Sequence, residues 1–197
     1  MRSTRTARIV AVLALFVAAM ALPTTSASAD GSFGAKATVR DVNGNSLGTV
    51  TLTPVGGKLI VAGRLTGLTA GFHGYHIHSV GICDPRATDA TGAIVPFASA
   101  GPHLNPAATT HGHHAGDLPL LYVSADGVAT ALTETDAVTL AQIFDADGAA
   151  IIIHALPDNY ANIPTRYSAA GVPGPDAATL GTGDSGGRVA CGLVTHA

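Results

Sequence analysis

The sequence is poor in positive charge, in cysteine and in long apolar segments. It contains 10 Lys and Arg residues against 13 Asp and Glu residues, and three of the arginines lie within the first eight positions. The remaining chain is therefore acidic, which argues against nucleic acid or an anionic membrane surface as a partner. The apolar run at residues 9–22 is short for a membrane-spanning helix, which needs about 20 residues, so a membrane anchor is the less favoured alternative for this segment.

The first 29 residues have the pattern of an export signal. Three arginines precede the apolar run, and the small residues Ala27-Ser28-Ala29 follow it as a cleavage site. We therefore predict a signal peptide at residues 1–29 and one domain at residues 30–197, which is long enough to bury a core. The mature protein would be secreted or retained in the cell envelope. No cysteine lies near the cleavage site, so a lipid anchor has no attachment point.

The chain has only two cysteines, Cys83 and Cys191. An even pair in an exported protein predicts a disulfide, because the compartments outside the cytoplasm are oxidising. This bond would join the middle of the chain to its C-terminal segment. Two free buried thiols are the alternative.

Helical patterns are scarce, and short alternating apolar segments dominate the chain. Eight such segments, bounded by turn residues, lie at residues 35–40, 48–54, 59–65, 71–78, 119–124, 128–133, 151–154 and 188–194. They predict an all-β fold, an eight-stranded antiparallel barrel or sandwich. Residues 135–145 are the only segment with a helical pattern. The two long connections, residues 79–118 and 155–187, are predicted to be functional loops.

Eight of the nine histidines precede residue 155. Imidazole is the commonest protein ligand of zinc and copper, so this concentration predicts a metal site. His76 and His78 are two residues apart on a predicted strand, which places them on one face, while Tyr75 and Ile77 face the core. His154 ends an apolar strand and can join the same site.

His111, His114 and Asp117 are spaced three apart in a glycine-containing loop. Together with His103 they offer three nitrogens and one carboxylate oxygen, which is a donor set for a closed tetrahedral zinc site. The alternative is a tract of solvated loop histidines that bind metal only loosely.

Five blocks of sequence carry a further signal. In chain order they are Gly71-Phe72-His73-Gly74-Tyr75-His76-Ile77-His78 followed by Cys83; Ser99-Ala100-Gly101-Pro102-His103-Leu104-Asn105-Pro106; His114-Ala115-Gly116-Asp117-Leu118-Pro119; Ile152-Ile153-His154; and Gly186-Gly187-Arg188-Val189-Ala190-Cys191-Gly192. In order and approximate spacing these blocks resemble the copper/zinc superoxide dismutase family. Residues 158–164 resemble its secreted actinobacterial branch. The resemblance implies a Greek-key β-barrel.

The resemblance implies a role for each candidate residue. The implied copper ligands are His76, His78, His103 and His154, and the implied zinc ligands are His103, His111, His114 and Asp117. Asp158 would be the carboxylate that joins a copper histidine to a zinc histidine, and His73 would be a supporting histidine. Thr182 would line the channel, and His103 and Arg188 would have catalytic roles. Cys83 and Cys191 would form a disulfide.

The implied reaction converts two superoxide anions and two protons to O2 and H2O2, with copper cycling between Cu(II) and Cu(I). The imidazole of His103 would bridge the two metals and supply a proton, while zinc keeps the imidazole oriented. Arg188 would guide the anion to copper through its permanent positive charge. The resemblance leaves a homodimer open.

The zinc loop departs from the family pattern. Only Gly112 and His113 separate His111 from His114, whereas typical members have a longer insertion there. His113 also offers an alternative ligand. The sequence therefore leaves a copper-only site open, although the aspartates that match the family favour zinc.

Two other functions fit parts of the sequence. A copper buffer or metal-delivery protein on the same fold would bind copper without catalysis, but it has no use for an anion guide such as Arg188. A structural or adhesive β-sandwich with incidental histidines would bind no stoichiometric metal. We therefore expect an exported superoxide dismutase.

Overall fold

One antiparallel sheet of nine strands dominates residues 34–197, the part of the chain that the computed structural model describes. In chain order the strands are β1 (Ala35–Asp41), β2 (Ser46–Val55), β3 (Lys58–Thr66), β4 (Gly71–His73), β5 (Tyr75–His78), β6 (Leu121–Val123), β7 (Val128–Thr135), β8 (Ala150–His154) and, after a separate hairpin of β9 (Ser168–Ala169) and β10 (Val172–Pro173), β11 (Arg188–His196). The predicted signal peptide at residues 1–29 lies outside the described residues.

The sheet curls into a nearly closed barrel. Its spatial order is β4-β6-β7-β3-β2-β1-β11-β8-β5, so the strands at the two ends of the order, β4 and β5, are consecutive in the chain. The neighbours β3 with β7 and β1 with β11 are far apart in sequence, so long connections cross the barrel ends as in a Greek key. The predicted all-β barrel is confirmed.

The predicted strand at residues 71–78 is divided at Gly74, which gives nine strands in place of eight. A Cβ atom at this position would lie 2.6 Å from the Cβ of Ser185, where the C-terminal connection crosses the strand. The Gly74 N–H donates to the carbonyl of Leu156, 2.8 Å away, and not to a neighbouring strand. Only glycine fits this close backbone crossing.

Strand β8 is buried on both faces, which explains its unbroken apolar sequence. Ile151 and Ile153 point into the barrel core, whereas Ile152 packs on the outer side against Phe97 and Cys191. The connection at residues 79–118 therefore covers this part of the barrel and does not leave it to solvent.

Strand β5 presents its histidines to the same covered outer side. Tyr75 and Ile77 lie in the barrel core, as predicted, and His76 and His78 face outward but stay buried. The connection runs along β5, since the Ile77 N–H donates to the carbonyl of Gly116 and its carbonyl accepts from the Leu104 N–H, both at 2.8 Å. The histidines are thus enclosed between barrel and loop.

Two short α-helices, and one 3-10 turn at Ala98–Ala100, interrupt the connections. Helix α1 (Leu140–Ile143) lies within the predicted segment 135–145 but is one turn long, and Thr139 closes its start with a capping box. Helix α2 (Ala177–Thr182) was not predicted; it begins at the Asp176 side-chain cap and ends at Gly183. Among residues 34–197, neither helix has the length and hydrophobicity to cross a bilayer.

The predicted disulfide between Cys83 and Cys191 is present, with 5.7 Å between the Cα atoms. It fastens the start of the 79–118 connection to β11. The loop over the histidines is therefore covalently attached to the barrel wall beneath it.

Candidate metal centre

Seven of the nine histidines are buried: His73, His76, His78, His103, His111, His114 and His154. The two exceptions are His113, which is exposed in the loop, and His196, which stacks on Phe144 with 3.9 Å between ring centroids. Buried imidazoles need partners, so the arrangement of the seven decides what the site can do.

The first donor set consists of His76, His78, His103 and His154. One ring nitrogen from each lies within 4.8 Å of the others. The Nε2 atoms of His78 and His154 are 3.4 Å apart. Four converging imidazole nitrogens suit copper or zinc far better than Mg²⁺ or Ca²⁺, which prefer oxygen ligands.

The second donor set consists of His103, His111, His114 and Asp117. His103 Nδ1 lies 3.0 Å from Asp117 Oδ1, and His111 Nδ1 lies 3.3 Å from Asp117 Oδ2. His114 Nδ1 lies 3.4 Å from His103 Nδ1. Three nitrogens and one carboxylate oxygen form the closed tetrahedral set that structural zinc takes. The exposed His113 is not part of it.

Hydrogen bonds on the opposite ring nitrogens fix which atom of each imidazole is free. His78 Nδ1 donates to the Gly101 carbonyl at 2.9 Å, and His154 Nδ1 donates to the Gly186 carbonyl at 3.0 Å. A ring nitrogen that donates leaves the other with a lone pair. The free atoms are therefore the Nε2 atoms, which point into the first set.

Asp158 orients one histidine of each set. Its Oδ2 accepts from His76 Nε2 at 2.7 Å, and its Oδ1 accepts from His111 Nε2 at 2.8 Å. These three side chains also lie close enough to hold an ion themselves. Because both Nε2 atoms already donate to the carboxylate, the group is a hydrogen-bonded bridge that leaves both Nδ1 atoms for metal.

Three buried ring nitrogens test whether metals fit these residues. His76 Nδ1, His103 Nε2 and His111 Nδ1 have no hydrogen-bond partner among residues 34–197. Buried polar atoms without partners are rare because each one costs free energy. All three point into a donor set, so bound metals would satisfy them.

Comparison with known proteins agrees with this geometry. The family model for copper/zinc superoxide dismutase matches residues 46–194. The chain belongs to the copper/zinc superoxide dismutase family. It is 44% identical over 179 residues to the copper/zinc superoxide dismutase of Mycobacterium tuberculosis, covering 89% of this chain and 70% of that one. It is 34% identical to the Caulobacter vibrioides enzyme, covering 81% and 84% of the two chains.

A solved structure supports the same assignment. Copper/zinc superoxide dismutase from Brucella abortus superposes with a TM-score of 0.62 and 30% identity, covering 81% of this chain and 98% of that one. The predicted activity, superoxide dismutation with copper and zinc as cofactors, is therefore supported by family, fold and donor sets together.

Burial prepares the first set of this superoxide dismutase for metal. It lowers the pKa of His76 to about 4 and that of His154 to about 3, and it lowers the pKa of His78 well below its usual value. These imidazoles are neutral at physiological pH, as metal ligands must be.

The second set carries negative charge suited to a divalent cation. Burial lowers the pKa of His111, but the nearby Asp117 carboxylate, the hydrogen bond to Asp158 and the charges of both outweigh burial and raise it to about 9. Burial raises the pKa of Asp117, but the hydrogen bond from His103 and the close His111 imidazole outweigh this and hold it far below its ordinary range. In the metal-free chain the two carboxylates therefore favour a proton on His111, and a bound divalent cation would take the place of that proton.

A cavity of about 470 Å³ leads to the first set. Its lining includes His78, His103 and His154 together with Thr182 and Arg188. A larger cavity of about 600 Å³ also borders His103, but it touches neither His78 nor Arg188. The cavity of about 470 Å³ is therefore the one that reaches the first set, and Thr182 and Arg188 lie in its lining.

Two backbone carbonyls of the long loop hold Arg188. Its Nη1 donates to the carbonyl of Phe97, and its Nη2 donates to the carbonyl of Gly101 at 2.6 Å. The Gly101 carbonyl also accepts from His78, so a single carbonyl oxygen orients both His78 and Arg188. Gly101 has a φ of 71°, and a Cβ atom there would lie 2.9 Å from Val80.

His73 lies next to the end of β8, against the backbone of His154. Its Nδ1 is 2.7 Å from the His154 carbonyl, and its Nε2 is 2.8 Å from the Thr69 carbonyl. It thereby joins the end of β8 to the turn before β4. It contributes no atom to either donor set.

Sequence reasoning missed Gly183, which borders both Asp158 and His111. A Cβ atom there would lie 1.9 Å from Asp158 Oδ1 and 2.3 Å from His111 Nε2. Its φ of 62° adds a second reason for glycine. The sequence offered only a glycine after a short segment of mostly small residues, which many turns share.

Proposed function

We propose that the chain is an exported copper/zinc superoxide dismutase whose copper ligands are His76, His78, His103 and His154 and whose zinc ligands are His103, His111, His114 and Asp117. The observation that carries this proposal is the position of His103. Its Nδ1 lies against Asp117 and His114, while its unpartnered Nε2 faces the other set. One imidazole therefore belongs to both sets.

When bound, copper supplies the one-electron exchange that oxidises one superoxide to O2 and reduces a second to peroxide. The protein must supply oriented copper ligands, a proton and a channel through which the anion reaches copper. Four buried histidines from β5, β8 and the long loop provide the orientation.

His103 is the proton carrier of this proposal. Its Nε2 faces the copper set, and its Nδ1 stays beside Asp117. A proton taken up at Nε2 lies next to the reduced oxygen species and can be passed to it. His111, His114 and Asp117 would hold zinc together with His103, and that bound zinc would keep the His103 ring in place.

Arg188 is proposed to draw superoxide to copper. Replacing it by alanine should lower kcat/KM by about tenfold or more, because the permanent charge beside the channel is lost. Copper content should be unchanged, since Arg188 contributes no atom to either donor set. Pulse radiolysis at several ionic strengths measures the rate, and the variant should depend less on salt.

Arg166→Ala is the matched control, because Arg166 is another arginine, in the connection that precedes β11, and its guanidinium lies over Tyr167, 4.9 Å from the ring centroid. It should keep the full rate. An Arg188→Ala protein that retains its copper and its kcat/KM would exclude Arg188 as the anion guide.

The proposed function is tested by adding copper stepwise to the copper-free, zinc-loaded chain. Dismutation should rise linearly and stop rising at one copper per chain. Stoichiometric copper without dismutation would instead support a copper buffer or delivery protein.

Export is part of the proposal. The disulfide supports it, because such bonds persist in oxidising compartments. The intact mass of protein collected outside the cytoplasm should correspond to a chain that begins at Asp30. A full-length mass would contradict cleavage after Ala29.

A further inference from the structure

Tyr160 has a backbone conformation that bulky residues rarely adopt. Its φ is 54°, and that of Ala161 is 56°. Left-handed conformations at such residues persist only where surrounding contacts fix them, and they concentrate at functional sites. The contacts of Tyr160 all lead to the proposed zinc set, on which this inference rests.

The backbone and the ring of Tyr160 both meet the residues that orient His111. The Tyr160 N–H donates to Asp158 Oδ1 at 2.7 Å, and the same oxygen accepts from His111 Nε2. The tyrosine ring lies parallel to the His111 imidazole, with 8° between planes and 6.5 Å between centroids. This is an offset stacking arrangement at the long end of the favourable range.

Tyr160 also contacts the chain before His114 and after Asp117, on both sides of these two proposed zinc ligands. Its hydroxyl accepts the N–H of Leu120 at 2.7 Å, just beyond Asp117. Its carbonyl lies against Gly112, where a Cβ atom would be only 2.7 Å away. Gly112, the residue that follows His111, therefore packs directly against the Tyr160 backbone.

We propose that Tyr160 is a positioning residue for zinc, holding the His111 ring at the angle that directs Nδ1 toward the other donors. Residues 112 and 113 are too few to form a loop that packs on His111 from its own side. Tyr160 supplies that packing from the C-terminal connection, and its hydroxyl anchors it to the chain beyond the loop.

Three variants of the full-length mature chain test this role. Tyr160→Leu removes the ring and the hydroxyl, and Tyr160→Phe removes the hydroxyl alone. Tyr167→Leu is the matched control, because Tyr167 is an exposed tyrosine in the same connection. Zinc affinity is measured by competition with a chelator, and Co(II) bound in place of zinc reports the geometry of the ligands by its visible absorption.

Tyr160→Leu should bind zinc about 10- to 100-fold more weakly, as loss of a group that orients a ligand does, and should shift the Co(II) bands. Tyr160→Phe should keep the bands and release zinc about two- to tenfold faster, since only one hydrogen bond is lost. Copper affinity should stay unchanged in both variants. Tyr167→Leu should match the wild type throughout.

Zinc affinity and Co(II) bands equal to the wild type in Tyr160→Leu would overturn the role. If that variant does not fold, unchanged zinc release in Tyr160→Phe would overturn it. His114→Ala separates this result from failure of the zinc site itself. A wild type that binds zinc no more tightly than His114→Ala would overturn both the site and the inference.

Discussion

Replacing His76 by alanine should reduce superoxide dismutation to the level of the metal-free chain. His76 is fully buried, and its Nδ1 has no hydrogen-bond partner among the described residues. Removing it takes one of four nitrogens from the copper set, so copper loses both affinity and the geometry that it needs to cycle. Copper content and dismutation should be measured on the same sample.

The barrel should survive this replacement. Alanine leaves a small cavity, but it also removes a buried polar atom that has no partner in the metal-free chain, and the two effects oppose each other. His113→Ala is the matched control, because His113 is an exposed histidine beside the zinc set. It should keep both metals and full activity. Full activity in His76→Ala would refute the copper assignment.

Removing the disulfide should produce the largest loss of stability. The bond spans 108 positions of sequence, so the loop-entropy estimate gives a loss of about 4 to 5 kcal/mol in the free energy of unfolding. Urea denaturation of a Cys83→Ala, Cys191→Ala double variant measures it. Wild type in the presence of reductant should unfold at the same urea concentration as the variant. If both unfold at the same urea concentration as the oxidised wild type, this expectation is wrong.

The disulfide should also affect catalysis, through Arg188. Phe97 packs against Cys191, and the carbonyls of Phe97 and Gly101 hold the guanidinium. Without the disulfide these carbonyls lose their fixed position, so kcat/KM should fall even where the protein is folded.

A double-mutant cycle separates this effect from general loosening. Adding Arg188→Ala to the disulfide-free chain should cost less than it costs in the wild type, because the two changes act through one contact. Full additivity would show that the disulfide does not position Arg188.

Much of the barrel could be predicted from local patterns, because alternating side chains follow the two faces of a strand. The outward direction of His76 and His78 followed from the same period of two, with Tyr75 and Ile77 in the core. The pairing of Cys83 with Cys191 followed from there being only two cysteines. These features depend on neighbours in sequence or on composition.

Features that arise between distant segments could not be predicted from local patterns. The break at Gly74 exists because the connection near Ser185 crosses it, and nothing around residue 74 indicates that crossing. Helix α2 is one and a half turns long and owes its start to a side-chain cap at Asp176. The place of Asp158 between two histidines came only from family resemblance, and the contacts of Tyr160 came from the structure alone.

The most direct measurement is a crystal structure of the metal-loaded protein with anomalous scattering recorded at the copper and zinc absorption edges. We predict a copper peak among His76, His78, His103 and His154 and a zinc peak among His103, His111, His114 and Asp117, with His103 touching both. A copper peak alone, with His103 bound to nothing on its Nδ1 side, would contradict the two-metal centre and make this a copper-only enzyme.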